Sequence, residues 1–515
     1  MIPKASGTVT VGNLLKVASF RYRDREAIYC SSTGRRFTFA QLNARTNRLA
    51  NGLLRLGLKK GDVAAFLCTN RAEVVEMYFA LAKTGIVGVP LNYRLAPAEM
   101  IQLMADFGVR ALLYEDRFGP IAEAARARMP QLRAFISIGN NLAPFATNYE
   151  KFLADSPEAE PVVEVVEEDD YYMNLTSGTT GLPKSYILTQ YNNALTVAIF
   201  PVLFDLTIDD VALTVFPMFG RVGFAWIGAT IYVGAKNVLY NFDPKGVLGL
   251  IESEKVSITN WVPTMASMVM ANADAGQHDL SSLRAIVFAG SPLPASVREK
   301  AKKTLCPRIY EYYGMQETAV LTMAKPAEKE RKPDSVGQVV HFADVRVIGA
   351  DGKDLPTGEI GEVIGRAPGA TASYYRDEKK SAITFRNGWV HTGDLGKFDE
   401  EGFLYLSGRI KDMIITGGQN VFSTEVESLL MSHPAVADCT VIGLPDPLWG
   451  EAVTAVVIKA PGAEVTEEEL LQFCKARIAG FKTPKKVIWS DAPLPRTATG
   501  KVTKFVLVEK YSHEA

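Results

Sequence analysis

From Phe37 onward the apolar residues keep changing their spacing, and nothing else in the chain restricts its fold as much. Phe37 to Gly57 places them three and four apart and stops at a glycine, which predicts an amphipathic helix. Asp62 to Cys68 is a short apolar run of buried-strand type, Arg71 to Lys83 returns to helical spacing, and Ile86 to Leu91 reads as a strand again. Such alternation predicts an α/β fold with mostly parallel sheets, because parallel neighbours need a crossover that a helix supplies. Lys325 to Asp334 is charged and proline-bounded, and reads as a surface loop. No fixed-period repeat or low-complexity tract interrupts the pattern.

Beyond about residue 408 the organisation becomes self-contained. Met413 to Thr416 reads as a strand, followed by Gly417-Gly418. Thr424 with Glu427 fits a capping box opening a helix that stops before Pro434. Ala435 to Leu444 and Ala452 to Lys459 read as strands, Thr466 with Glu469 as a second capping box for a helix through Ile478, and Lys485 to Ser490 as a further strand. These elements predict a small α+β domain. The 515 residues allow about three or four folding units.

Composition excludes several classes. The 56 Lys+Arg against 57 Asp+Glu leave a net charge of −1, which removes the basic footprint of a general nucleic-acid binder. Five cysteines without a C-x-x-C pair indicate neither a disulfide framework nor a zinc knuckle; they predict buried small residues in a reducing compartment. The histidines form no H-x-x-x-H or H-x-x-E-H pattern. The N-terminal stretch lacks the apolar core of a secretory signal, and Val222 to Ala235 falls short of the ~20 residues that span a bilayer. A soluble, cytoplasmic protein is expected.

The sharpest local feature is Thr176-Ser177-Gly178-Thr179-Thr180-Gly181-Leu182-Pro183-Lys184-Ser185, after the strand-like Tyr171 to Leu175. Hydroxyls, two glycines and a lysine make a donor-rich loop suited to oxyanions. Gly178 and Lys184 have P-loop spacing, but Pro183 occupies the second glycine's place. Proline has no N–H to add to a cradle of amides, so a Walker-type NTPase is disfavoured.

The ten-residue string resembles the signature loop of the acyl-adenylate-forming superfamily, which includes acyl-CoA synthetases. Four more segments follow in that family's order. Tyr312-Tyr313-Gly314-Met315-Gln316-Glu317-Thr318 resembles its aromatic-Gly-x-Thr-Glu segment, and Trp389-Val390-His391-Thr392-Gly393-Asp394 its Trp-x-His-Thr-Gly-Asp. Ser407-Gly408-Arg409-Ile410-Lys411-Asp412 resembles the hinge, and Pro495-Arg496-Thr497-Ala498-Thr499-Gly500-Lys501 the C-terminal lysine motif.

This resemblance implies a large N-terminal domain, 1–409, holding the ATP and acid pockets, and a mobile C-terminal domain, 410–515, carrying the catalytic lysine. It implies that Lys501 bridges the substrate carboxylate and the α-phosphate, and that Glu317 contacts Mg²⁺. Thr176, Ser177, Gly178, Thr179, Thr180, Gly181 and Lys184 would wrap the phosphates, with Thr180 at the α-phosphate. Tyr313 would stack on adenine, and Asp394 with Arg409 would hold the ribose. Lys411 would be the hinge between two half-reactions that need different groups at one site. Gly417-Gly418 would admit a pantetheine arm, although a plain strand-to-helix turn explains the same glycines.

The family's acid pocket maps onto Phe219, Gly220, Arg221, Trp226, Trp261, Ala289, Gly290, Gly314 and Met315. Arg221 hints at a second polar group on the acid, but a solvated loop arginine is the preferred reading. Gln316 replaces the family's usual threonine and can still donate to phosphate; Ser185, Gln190 and Gly220 also depart from its pattern. The implied activity is a carboxylic acid–CoA ligase using ATP, Mg²⁺ and coenzyme A, for which a homodimer is allowed. The alternatives are loading of a carrier protein in trans and a catalytically silent nucleotide-binding protein on the same fold.

Overall fold

The computed structural model describes residues 9–176, 184–272, 276–496 and 502–512. Its frame is two large, mostly parallel sheets. Seven strands run in the order Thr147–Asn148, Ala134–Ile138, Ala111–Glu115, Val63–Leu67, Val87–Pro90, Asp170–Thr176 and Lys184–Thr189, and only the last pair is antiparallel. In the second sheet Ile309–Met315, Ala285–Phe288, Ile258–Trp261, Val211–Thr214, Lys236–Leu239 and Glu26–Cys30 are successive parallel neighbours. Arg35–Thr38, Ala319–Ala324 and Gln338–Val339 close its edges antiparallel.

Helix Ala72–Thr84 is buried all round and shares one apolar cluster with residues of both sheets. A helix in that position can carry charge only if each charge is matched. Arg71 lies 2.7 Å from Glu73, and Glu76 takes Arg45 and the Tyr149 hydroxyl, each at 2.6 Å. Asn70, just past strand Val63–Leu67, ties the sheets together at the carboxyl ends of their strands. Its amide donates to the carbonyls of Phe216 (2.8 Å) and Tyr240 (2.9 Å), and its Oδ1 accepts from the Met218 N–H (2.8 Å). The crevice at the carboxyl ends of parallel strands is where such folds bind ligands.

A third, antiparallel sheet contains Asp344–Ile348, Gly361–Arg366, Trp389–Phe398 and, paired to that long strand, Phe385–Arg386 and Leu404–Arg409. The short turn Ile410–Asp412 leads to a fourth sheet, Gln419–Phe422, Met413–Thr416, Gly450–Lys459, Val436–Asp446 and Lys486–Trp489. That sheet has its own core around Val426, Leu430, Val441, Val453 and Leu470, making a smaller C-terminal unit.

Several local expectations need correction. The helix expected from Phe37 begins at Phe39, because Arg35–Thr38 pairs with Glu26–Cys30 and Thr38 caps the helix in a box with Gln41. The charged segment after Lys325 is helix Pro326–Arg331 rather than a loop, and buried Lys329 reaches Glu311 and the carbonyls of Pro333 and Ser335. Thr424 and Glu427 form no capping box: helix Ser423–Met431 already includes Thr424. Tertiary partners take both side chains, Thr424 donating to the Ser407 carbonyl and Glu427 accepting from Thr440, the Val441 N–H and Lys504. The Thr466–Glu469 box does form, but its helix ends at Lys475. All five cysteines are free and buried, as expected. Among the described residues no helix is long and apolar enough to cross a membrane.

Candidate active site

Strand Ile309–Met315 turns sharply into Ala319–Ala324, and this turn carries Gln316 and Glu317. Gly314 is required where the two strands meet, since a Cβ there would collide with the Ala319 carbonyl. Thr318 closes the turn by accepting the Met315 N–H on its hydroxyl at 3.0 Å. Glu317 is thereby held with 6% exposure beside the segment 369–375. The Thr371 N–H donates to the Glu317 carbonyl at 2.8 Å, and the Tyr374 hydroxyl to its Oε1 at 2.7 Å. Lys184, at the start of its strand, places its ammonium 4.7 Å from the centre of the Tyr374 ring. Burial, then the Glu317 charge, raises the Tyr374 phenol, which keeps it a donor.

A second cluster lies on the third sheet. Asp394 and Arg409 are paired across strands Trp389–Phe398 and Leu404–Arg409. Arg409 Nε is 2.8 Å from Asp394 Oδ1, and the Tyr313 hydroxyl donates to Oδ2 at 2.8 Å. Burial first and the Asp394 charge second hold the Tyr313 phenol well above its ordinary range. Tyr313, Asp394 and Arg409 are thus brought together, as are Lys184 and Glu317 around Tyr374. Thr176 ends its strand in register with Lys184. Ser177, Gly178, Thr179, Thr180, Gly181 and Lys501 lie outside the described residues.

The carboxylate chemistry suits magnesium. One oxygen of Glu317 is occupied by Tyr374, and no other hydrogen bond to the carboxylate occurs among the described residues. A single carboxylate joined by phosphate oxygens and water is a usual Mg²⁺ arrangement, so the residues present fit that ion.

The residues expected around the acid divide between two sides of the nine-stranded sheet. Trp226 stacks on Phe204, with centroids 5.1 Å apart, in a cluster that includes Ala289 and Tyr312. Trp261 is fully buried in the cluster on the opposite face, with Phe288 and Ile286. Side chains alternate along a strand, so Trp261 and its neighbour Asn260 point to opposite sides. Asn260, not Trp261, shares a face with Trp226, and its amide lies 3.5 Å from the Tyr312 hydroxyl. Phe219 is half-buried, edge-on to Tyr93 at 5.2 Å, and Gly220 caps helix Arg221–Val233. Gly290, at a φ of +86°, is exposed; Met315 and Gly314 are half-buried beside the Gln316 turn.

Arg221 is not a solvated loop arginine. It is 4% exposed at the first turn of its helix, and its guanidinium is engaged by the carbonyls of Gln316 and Gly369 and by the Thr196 hydroxyl. Gln316 is held at both ends, since its side-chain Oε1 accepts from the Tyr186 hydroxyl at 3.0 Å. Gln190 is structural: its buried amide accepts the Val11 N–H and donates to the Ala82 carbonyl. Lys411 is exposed in the turn between the third and fourth sheets. Gly417 and Gly418 make a two-residue hairpin between antiparallel strands, not a strand-to-helix turn, with φ of +55° and +75°. Both angles belong to the hairpin turn that glycine favours.

Sequence reasoning missed Tyr374, Asn70, Asn192 and Tyr186. Each acts through contacts more than fifty residues away in the chain, and its local sequence carries no charge pattern or spacing that marks it. Gly369, tight against Thr196 and Ala319, was the nearest available signal.

The chain belongs to the AMP-binding enzyme family: residues 15–375 match the AMP-binding enzyme, and 425–501 match the AMP-binding enzyme C-terminal domain. Among its relatives, it is 36% identical to a feruloyl-CoA synthase of an Amycolatopsis species over 92% of this chain and 93% of the other. It is 34% identical to the long-chain-fatty-acid–CoA ligase FadD13 of Mycobacterium tuberculosis over 93% and 94% of the two chains. The structure of the anthranilate CoA ligase AuaEII in complex with anthranoyl-AMP superposes with a TM-score of 0.91 and 29% identity, covering 98% of each chain.

Proposed function

We propose that this protein is an ATP-dependent carboxylic acid–CoA ligase. A carboxylate oxygen of the acid attacks the α-phosphorus and expels pyrophosphate, giving an acyl-adenylate. The thiol of coenzyme A then attacks the acyl carbon, and AMP leaves. The observation that carries this reading is the presence of two clusters, Tyr313–Asp394–Arg409 and Lys184–Tyr374–Glu317, of which Tyr313 and Glu317 lie at and just beyond the carboxyl end of strand Ile309–Met315. The first matches a ribose, whose two hydroxyls need a carboxylate acceptor; the second matches a polyphosphate, which needs a cation.

In this reading Asp394 accepts from the ribose hydroxyls while Arg409 and Tyr313 hold its carboxylate in place. Tyr313 also offers a ring face to adenine. Lys184 neutralises the departing pyrophosphate, and Glu317 would hold Mg²⁺, which would withdraw charge from the phosphate oxygens. The segment 177–183 supplies further phosphate donors, and Lys501 the cation between carboxylate and α-phosphate. Trp226, Asn260 and Tyr312 contribute one wall of the acid pocket. Lys411 lies between a large unit, 1–409, and a small one, 410–515, whose rotation would exchange the lysine for the thiol route. The five free thiols support a reducing, cytoplasmic location.

The decisive experiment gives purified protein ATP, Mg²⁺ and a panel of aromatic and aliphatic acids, and measures AMP release with and without coenzyme A. AMP release that requires both the acid and coenzyme A is expected. Adenylate formation indifferent to coenzyme A would favour a carrier-loading enzyme, and no turnover with any acid a silent binder. Lys501→Ala should abolish adenylation while ATP still binds.

A further inference from the structure

We propose that Arg221 is a positioning residue for adenylation: it clamps the Gln316–Glu317 turn to the segment 368–375, so that Tyr374 on one piece holds the Glu317 carboxylate on the other. The inference rests on the reading of Glu317 as the carboxylate that faces Mg²⁺ and the phosphates.

The clamp is visible in its bonds. Arg221 Nη1 donates to the Gln316 carbonyl at 2.7 Å. Nη2 donates to the Gly369 carbonyl and reaches the Thr196 hydroxyl at 3.4 Å. One planar guanidinium therefore joins two chain segments more than fifty residues apart. The segment approaches so closely that only glycine fits at 369: a Cβ there would lie 2.7 Å from Thr196 Oγ1, 2.8 Å from Ala319 Cβ and 3.0 Å from Arg221 Nη2. Asn192 fastens the same segment from below, donating to the carbonyls of Pro368 (2.7 Å) and Ala370 (3.2 Å). Downstream of these anchors, Thr371 donates to the Glu317 backbone, Tyr375 donates to the Ser185 carbonyl beside Lys184, and Tyr374 reaches the Glu317 carboxylate.

The chemistry of the clamp is unusual. Arg221 is buried, its partners are two backbone carbonyls and a hydroxyl, its Nε has no partner, and no carboxylate pairs with it among the described residues. A buried cation without a counter-charge costs stability, and an apolar residue in its place would deprive the Gln316 and Gly369 carbonyls of this donor. Spent beside a polyphosphate site, the same charge lowers the electrostatic cost of gathering phosphate oxygens near Glu317. Lysine would keep the charge but not the planar fork, whose two terminal nitrogens here serve the Gln316 and Gly369 carbonyls separately.

The test compares Arg221→Lys, Tyr374→Phe, the double variant and Glu317→Gln in the full chain. Two quantities are read: the Mg²⁺ concentration giving half-maximal adenylate formation, and ATP affinity by calorimetry with and without Mg²⁺, acid and coenzyme A being absent. Partners that hold a metal's ligand cost ten- to a hundredfold in affinity when lost, so each single variant should raise the Mg²⁺ requirement about tenfold. Mg²⁺-dependent ATP affinity should fall in parallel, Mg²⁺-free ATP binding should change little, and the double variant should be no worse than the stronger single. Multiplying effects in the double variant, or lower thermal stability with an unaltered Mg²⁺ requirement, would overturn the clamp. Glu317→Gln separates the two ideas: if it leaves the Mg²⁺ requirement unchanged, the reading of Glu317 fails; if it shifts it while Arg221→Lys does not, the clamp alone fails. Should Arg221→Lys not fold, Thr196→Val removes one partner of the guanidinium and should raise the Mg²⁺ requirement about threefold; an unshifted value overturns the proposal.

Discussion

Tyr313 donates its hydroxyl to Asp394 Oδ2 at 2.8 Å, while Arg409 meets the other oxygen of the same carboxylate at 2.8 Å. The two partners come from different sheets, so the carboxylate is oriented before any ligand arrives. Losing a charged hydrogen-bond partner costs ~1.5–3 kcal/mol, so Asp394→Ala should weaken ATP binding about ten- to a hundredfold. Tyr313→Phe loses only the orienting bond and should cost about three- to tenfold. Calorimetric titration checks both, and unchanged affinity in Asp394→Ala would remove that residue from the ribose.

Lys411 and Gly418 separate domain rotation from local geometry. Lys411→Pro should slow thioester formation about tenfold more than adenylation, because it stiffens the turn between the two units. Gly418→Ala meets a φ of +75°, which should cost roughly 1–2 kcal/mol of stability. Single-turnover measurement of each half-reaction gives the answer; equal loss of both in Lys411→Pro would rule out the hinge.

The face assignment of the two tryptophans is testable through selectivity. Trp226→Phe enlarges the side shared with Asn260 and Tyr312, and should change the relative kcat/KM between small and bulky acids about tenfold. Trp261→Phe sits across the sheet and should lower thermal stability while leaving the ratio alone. A selectivity change from Trp261→Phe would contradict the packing.

Acid stability should report the Glu150 cluster. Burial alone would raise this carboxyl, but hydrogen bonds from Arg45 and Arg35 outweigh it and hold it at about 2 rather than 4.5. A depressed carboxylate stabilises the fold above its ordinary value and loses that contribution as pH falls from there towards 2. Glu150 is half-exposed, so solvent screening reduces the effect to about 1 kcal/mol. Denaturant melts at pH 6 and pH 3 should show a smaller pH difference for Glu150→Gln than for the parent protein.

Much of the frame was legible because local pattern and tertiary role agree. The apolar runs Asp62 to Cys68 and Ile86 to Leu91 became adjacent parallel strands, since a strand buried on both faces needs no alternation. Where a polar side chain has a distant partner, local grammar misled. Thr424 and Glu427 had capping-box spacing, yet Ser407, Thr440 and Lys504 claimed them. The charged stretch after Lys325 looked solvated, yet Lys329 is buried against Glu311.

The sequence by itself determined the alternating α/β plan, the small C-terminal unit and the order of motifs pointing to an acyl-adenylate chemistry, because these follow from periodicity and from residue types at short spacing. Only the tertiary structure decided that Trp261 faces away from Trp226, that Gly417-Gly418 is a hairpin, that Tyr374 joins Lys184 to Glu317, and that Arg221 is a buried clamp. Each of those facts depends on which face of a strand looks where, or on a contact between segments far apart in the chain, and such facts exist only once the sheets have packed.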